Sequence, residues 1–230
     1  MFASFDFDVI ARSWQVLIFQ GLAFTFQVTL LAMVGGIVFG TLLAMMRLSS
    51  IKPLAWLAGG YVNLLRSIPL VLVIFWFYFL VPYIGAWIIG SPTPVRIGAF
   101  SSALTTFILF EACYYCEIMR AGIQSIPRGQ VDAGHALGLD YWQMMGHIVL
   151  PQAFRNMIPV LLTQTIVLFQ DVSLVYIISL PDFVTIASKI AQRDGRLIEM
   201  YLFVAVVYFA LCFLLSRVVK RLQTRMAIVR

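Results

Sequence analysis

Five apolar stretches dominate the 230-residue sequence, and each is long enough to cross a lipid bilayer. A membrane-spanning helix needs about 20 predominantly apolar residues. Hydrophobic residues make up 62% of the chain and charged residues only 11%, less than half the roughly 25% typical of soluble domains. The sequence therefore predicts an all-α membrane protein with about five transmembrane helices, forming a single domain over residues 1–230. The predicted helices cover residues 14–46, 54–87, 97–122, 152–178 and 197–219.

The basic residues lie mainly in the gaps between the apolar stretches. That pattern is typical of charges that orient a membrane protein, so the net charge of +6 does not indicate a nucleic-acid partner. Asp6 and Asp8 precede the first basic residue, which predicts an outside N-terminus. Five spans then place the C-terminus inside, with ten basic residues on the inner side and five on the outer side. The inner set is Arg47, Lys52, Arg120, Arg128, Arg155, Arg217, Lys220, Arg221, Arg225 and Arg230, and the outer set is Arg12, Arg96, Lys189, Arg193 and Arg196.

Residues 127–151 form a long inner loop with helical signals of its own. Gly138 can adopt the left-handed conformation that ends a helix. Asp140 can then cap a second helix, and Gln143 three residues later completes a capping box. Pro151 is expected at the start of the next span, where its missing N–H costs nothing. We therefore expect two short amphipathic helices that form a rigid docking surface, although a loop lying on lipid headgroups would show similar amphipathicity.

The spacing within this loop resembles the EAA loop of ABC importer permeases. That pattern is Glu-Ala-Ala, a glycine after three further residues, and Ile-x-Leu-Pro after nine more. Aspartate replaces the glutamate here, and glycine replaces the second alanine. Segments 65–70, 117–122, 150–153 and 171–174 extend the likeness to permeases that import polar amino acids. The matching loop residues are Asp132, Ala133, Gly134, Gly138, Ile148, Leu150 and Pro151, with both spacings kept.

The resemblance implies a multi-pass subunit of the bacterial cytoplasmic (inner) membrane that works by alternating access. It implies a second permease subunit, a dimer of cytoplasmic ABC ATPases that receives the loop, and an amino-acid-binding protein outside. Lipids surround such a subunit, and no nucleic acid is involved. Segment 110–117 looks most similar to glutamate/aspartate permeases. The importer's ATP and Mg are expected on the partner ATPase, because none of the three lysines of this chain follows a glycine as a phosphate loop requires. We expect no cofactor and no enzymatic activity in this chain.

Arg66 lies inside the second apolar stretch, where burying a charge costs roughly 2.5–3.5 kcal/mol. Pro69 should break the helix just after it, and Ser67 is expected to cap the half-helix that follows. The start of a half-helix carries partial positive charge and free N–H groups that suit a carboxylate. One hypothesis is therefore that Arg66, Ser67 and Pro69 hold the α-carboxylate of an amino acid in passage. The other is an internal ion pair of Arg66 with Asp171 or Glu111.

The fourth apolar stretch carries polar residues that could line a pathway. Gln164 and Asp171 are seven residues apart and share one helix face, with Gln170 beside it and Ser173 after it. Interhelical hydrogen bonds would equally explain them. Glu117 and Arg120, three residues apart, are expected to pair locally.

Two further patterns concern packing. Ala32, Gly36, Gly40 and Ala44 recur every four residues, which favours close approach of another helix in lipid. The three cysteines lie inside apolar stretches, where we expect small packing side chains rather than a metal or redox pair. A stand-alone secondary transporter or channel remains the alternative function.

Overall fold

The computed structural model describes residues 5–226, and within this range the chain consists of helices and their connections, without strands. The prediction of an all-α chain is confirmed. The helices are α1 (Asp8–Leu48), α2 (Lys52–Arg66), α3 (Leu70–Ile89), α4 (Ala99–Gln124), α5 (Arg128–Ala136), α6 (Tyr141–Ile178), α7 (Phe183–Asp194) and α8 (Leu197–Met226).

Five of the described helices are long and apolar enough to span a membrane, the number predicted: α1, α3, α4, α6 and α8. The second predicted span, 54–87, is divided into α2 and α3, and of these two only α3 is long and apolar enough to span, so Arg66 precedes the span. The first span begins at Asp8, six residues before the predicted start, and the last extends beyond the predicted end at Val219. Arg230, which we counted on the inner side, lies outside the described residues.

The small-residue ridge of α1 packs against α4, as predicted. All four of its residues are buried. A Cβ atom placed on Gly40 would lie 2.9 Å from the carbonyl oxygen of Ala112 and 3.0 Å from the amide nitrogen of Cys116. Because backbone cannot yield as a flexible side chain does, only glycine permits this approach of α1 and α4.

Helix α6 runs antiparallel to α4. The hydroxyls of Tyr115 and Thr165 lie 3.2 Å apart, whereas Met157, earlier in α6, lies beside Gly122 near the end of α4. The cysteines of α4, Cys113 and Cys116, are fully buried and carry free thiols, with Cys113 beside Tyr61 of α2 and Cys116 beside Gly40 of α1, which fits a packing role.

The α-helical part of the fourth span begins at Leu150, two residues before the predicted start. Helix α6 is continuous from Tyr141, so the second short helix of the loop continues directly into the membrane span. Pro151 lies in the first turn of the α-helical segment, as predicted, but this segment continues an unbroken helix that the sequence did not predict. The preceding turn, Met145–Val149, is a π-helix. A local π turn changes the backbone pairing ahead of the proline, which cannot donate a hydrogen bond.

Helix α7 lies at the opposite end of the bundle from this loop. Asp182 is fully buried and caps it, accepting hydrogen bonds of 3.0 Å each from the backbone N–H groups of Val184 and Thr185. The N–H of Phe183 donates to Thr25 of α1 at 3.2 Å. These bonds fix α7 against the first span.

Replacement of Asp182 by alanine is expected to lower the free energy of unfolding by about 1–2 kcal/mol, the usual cost of losing an N-cap. Asparagine should retain most of the stability because it caps equally well. Burial also raises the pKa of Asp182, so asparagine avoids the desolvation of a charge. Thermal unfolding of the purified protein in detergent measures both variants, and an equal loss for alanine and asparagine would contradict the capping role.

Candidate functional site

The loop predicted to dock another protein is built from α5 and the first turns of α6. Helix α5 ends in a turn at Gly138, whose φ is +75°. The N–H of Gly138 donates to the carbonyl of His135 at 2.9 Å, and that of Leu139 donates to Gly134 at 3.1 Å. These bonds close the helix end in the manner of a glycine C-cap. The sequence prediction of a glycine turn at this position is confirmed.

The predicted capping box starts α6. The N–H of Gln143 donates to Asp140 at 2.8 Å, and the Gln143 side chain accepts from the N–H of Asp140 at 3.1 Å. Gln152 of α6 donates to Gln130 of α5 at 2.6 Å and so ties the two helices together. We call residues 127–151 the coupling loop.

The EAA-like residues occupy two kinds of position in the coupling loop. Gly134 is buried, and a Cβ placed on it would lie 3.2 Å from Ile148, so the glycine lets α5 approach α6 closely. Asp132 and Ala133 are exposed, and within residues 5–226 Asp132 forms no ion pair. Leu150 is half-buried and Pro151 exposed. The structure thus separates a packing pair, Gly134 and Ile148, from exposed residues that include the carboxylate of Asp132.

Three large apolar side chains surround the turn of the coupling loop. Leu137 is 80% exposed, Trp142 79% and Tyr141 62%. The two aromatic rings meet edge to face, 5.4 Å between centroids. Large apolar side chains that cluster in the open mark an interaction surface.

A second site surrounds the break between α2 and α3. Helix α2 ends at Arg66, and α3 begins at Leu70. Ser67 was expected to cap α3, and this is wrong, because its hydroxyl donates back to the carbonyl of Asn63 at 2.7 Å. Among residues 5–226, the N–H groups of Leu70 and Val71 find no acceptor. The start of α3 therefore presents two free donors.

The partner of Arg66 is neither Asp171 nor Glu111. Its Nη1 lies 3.9 Å from a carboxylate oxygen of Glu117, and its guanidinium lies over the ring of Tyr114 at 5.3 Å from the centroid. The ion-pair alternative is thus corrected: Glu117 lies six residues after Glu111 on α4 and faces the break, whereas Glu111 faces α6.

Glu117 also binds two other arginines. Arg47, at the end of α1, contacts one carboxylate oxygen. Arg120 donates to the other at 2.8 Å and 3.2 Å, which confirms the predicted local pair. Sequence reasoning missed Arg47. A signal was present, because Arg47 lies three residues after Ala44 and so on the helix face that packs against α4.

Of the polar residues of α6, Gln164 donates to Glu111 at 3.0 Å, so its interhelical hydrogen bond is confirmed. The side chain of Glu111 is fully buried, and within residues 5–226 its second oxygen has no partner. Asp171, half-buried, and Glu111 are both electrostatic neighbours of Tyr114, as is Arg66.

Gln170 and Ser173, the other two residues of α6 that were predicted to line a pathway, lie apart from Gln164. Gln170 is exposed and lies close to Cys212 of α8. Ser173 is half-buried in the last, 3₁₀-helical part of α6. The structure therefore places Gln164 against Glu111 and Arg66 against Tyr114, and leaves Gln170 on another face of α6.

Comparison with known proteins gives consistent matches. Residues 36–228 match the family described as "Binding-protein-dependent transport system inner membrane component". The chain is 52% identical over 223 residues to the glutamate/aspartate import permease protein GltK of Escherichia coli O6:H1, covering 97% of this chain and 99% of that protein. It is 33% identical to the probable glutamine ABC transporter permease protein GlnM of Bacillus subtilis strain 168, covering 90% and 92%.

Solved structures share the fold. A crystal structure of an amino acid ABC transporter with histidines contains a chain that matches with a TM-score of 0.86 at 29% identity, covering 96% of this chain and 98% of that chain. The MetNI methionine ABC transporter in an inward-facing conformation matches with a TM-score of 0.67 at 19% identity, covering 96% and 97%. The second likeness shows the fold alone.

Proposed function

Because the chain belongs to the family of binding-protein-dependent transport system inner membrane components, we propose that it carries acidic amino acids, glutamate and aspartate, into the cytoplasm. It is a multi-pass permease subunit of an ABC importer, and ATP hydrolysis belongs to a separate subunit. The observation that carries the choice of substrate is the 52% identity to a glutamate/aspartate permease over nearly the whole of both chains.

The coupling loop would transmit the motion of the ATPases to the spans. Its exposed apolar side chains, Leu137, Tyr141 and Trp142, would enter a cleft on the cytoplasmic ATPase, and Asp132 would pair with a basic residue there. The internal hydrogen bonds described above make the loop stiff. The close contact between Gly134 and Ile148 joins α5 to the first turns of α6. Since α6 continues from the loop into the membrane, a push on the loop reaches the spans without a flexible joint.

The assembly we propose contains a dimer of ATPases inside, a second permease subunit and a binding protein outside. Binding of ATP would close the ATPases and open the helices outward to receive substrate, and hydrolysis would restore the inward-facing state. A stand-alone secondary transporter or channel, the alternative left by the sequence, would need no binding protein, which the family to which the chain belongs requires.

The substrate pathway would pass the break between α2 and α3. Arg66 would bind the α-carboxylate together with the free N–H groups of Leu70 and Val71, aided by the positive end of the α3 dipole. Ser67 and Pro69 shape this break, the first by closing α2 and the second by starting α3. Gln164, Asp171 and Ser173 would line the path farther along α6, whereas Gln170 lies on another face of that helix beside Cys212 and would not.

Arg66→Gln should weaken the binding of labelled glutamate to the purified complex by about 10–100-fold, because a hydrogen bond to a charged group contributes about 1.5–3 kcal/mol. Lys52→Gln is the control, since Lys52 is exposed at the start of α2. The thermal midpoint is measured in parallel. A lowered midpoint with unchanged affinity would assign Arg66 a purely structural role.

The proposed substrate is tested by competition. Proteoliposomes carrying the full assembly are given labelled glutamate and an excess of one unlabelled amino acid. Aspartate should compete strongly, whereas glutamine, arginine and histidine should compete weakly. Preferred uptake of a neutral or basic amino acid would refute the assignment.

A further inference from the structure

We propose that Glu117 is a built-in competitor of the substrate. In the absence of substrate it would pair with the guanidinium groups of Arg47, Arg66 and Arg120. When a dicarboxylic amino acid binds, Arg66 would bind its α-carboxylate, and Arg47 and Arg120 would bind its side-chain carboxylate in place of Glu117. We call Arg47, Arg66 and Arg120 the arginine set. The inference rests on the proposed function and adds to it a subsite that distinguishes acidic from neutral amino acids.

The first argument is charge. Three arginines converge on one carboxylate, and among residues 5–226 no second carboxylate forms an ion pair with any of them. Two positive charges therefore remain without a counterion. Glu117 and Arg47 are partly withdrawn from water, with 19% and 18% of their side chains exposed, whereas Arg120 and Arg66 are 31% and 41% exposed. Charges in such surroundings are stable only when paired. A dicarboxylic amino acid, which has two carboxylates and one ammonium group, adds a net negative charge to this cluster, whereas a neutral amino acid adds none.

The second argument is hydrogen bonding. Each guanidinium has five N–H donors, whereas a carboxylate offers about four acceptor positions. Glu117 accepts from Arg47 and from two nitrogens of Arg120. Arg66, at 3.9 Å, is too far for a hydrogen bond. The set therefore keeps unused donors, and planar donor forks of this kind match carboxylates.

The third argument is position. Arg66 is the member held least tightly, and its side chain is 41% exposed. It lies at the break where α3 presents the free N–H groups of Leu70 and Val71. A substrate whose α-carboxylate binds there brings its second carboxylate within reach of the same cluster. The members of the arginine set lie on α1, α2 and α4. A change of partner at Glu117 would therefore change contacts among these three helices.

The test uses the permease–ATPase complex in nanodiscs without the binding protein, so that selectivity reports the permease alone. The dissociation constants of labelled glutamate and glutamine are measured for the wild type, Glu117→Gln and Arg47→Gln. A competitor role predicts that Glu117→Gln tightens glutamate binding several-fold and increases the preference for glutamate over glutamine. Arg47→Gln should weaken glutamate binding about tenfold or more and glutamine binding less than threefold.

Equal shifts for both amino acids in Arg47→Gln, or weaker glutamate binding in a folded Glu117→Gln, would overturn the inference. Should Glu117→Gln not fold, Arg47→Gln and Arg120→Gln decide the matter, since both leave Glu117 in place. Failure of the inference and of the proposed function are distinguishable. If the wild-type complex binds glutamate no better than glutamine, the proposed function fails. If it prefers glutamate and the variants keep that preference, only the competitor role fails.

Discussion

Gly138→Val is expected to reduce ATP-coupled uptake about 5–30-fold while the protein remains folded in the membrane. Gly138 has a φ of +75°, a conformation that L residues adopt at a cost of about 1–2 kcal/mol and β-branched residues least readily. A Cβ at this position meets no atom within 4 Å. The effect therefore acts through the backbone, which must leave the left-handed region and turn α5 away from α6. A shift of 1–2 kcal/mol reduces the competent population about 5–30-fold.

Gly129→Val is the matched control for this prediction. Gly129 is an exposed glycine of the same loop, it lies in α5 without a positive φ, and a Cβ there is also unobstructed. Valine at a helical position costs less than about 1 kcal/mol. Membrane abundance and ATP-dependent glutamate uptake are measured for both variants. Full uptake by Gly138→Val would remove the coupling role from this turn.

Gly40→Leu is expected to produce the largest loss of stability of any single change considered. The new Cβ would lie 2.8–3.0 Å from atoms of Tyr115, Ala112 and Cys116, two of which belong to the α4 backbone. Helices α1 and α4 must then separate along their whole contact. Overpacking commonly costs about 1–3 kcal/mol and more where the surroundings cannot move, so we expect little folded protein.

Gly60→Leu controls for side-chain bulk and hydrophobicity, because Gly60 lies on an exposed face of α2 with no atom within 4 Å of an added Cβ. The yield of monodisperse protein after size-exclusion chromatography measures both variants. Equal yields for Gly40→Leu and Gly60→Leu would show that α1 and α4 do not depend on the glycine for their contact.

Features set by local chemistry could be predicted from the sequence. The spans follow from apolar length, the break from Pro69, and the turn and cap of the coupling loop from Gly138 and Asp140. The ridge on α1 was predictable because in lipid close packing has to replace the hydrophobic drive between helices. In each case the deciding interaction lies within a few residues or on one helix face.

Features set by competition between partners could not be predicted. The hydroxyl of Ser67 could either cap α3 or bond back to α2. It donates to the carbonyl of Asn63 in α2 and does not cap α3. Three acidic residues, Glu111, Glu117 and Asp171, were candidates for an ion pair with Arg66. The pair forms with Glu117 because of the way α2 packs against α4. The continuity of α6 through Pro151 likewise required a π turn, for which the sequence offered no signal.

The central claim is that a separate ATPase drives this permease through the coupling loop. Its most direct test is the accumulation of labelled glutamate in proteoliposomes that contain this chain with its permease partner and ATPase, with the binding protein outside. We predict accumulation above the external concentration only when ATP is available to the ATPase. Equilibration of glutamate by this chain without the ATPase, or accumulation that continues without ATP, would contradict it.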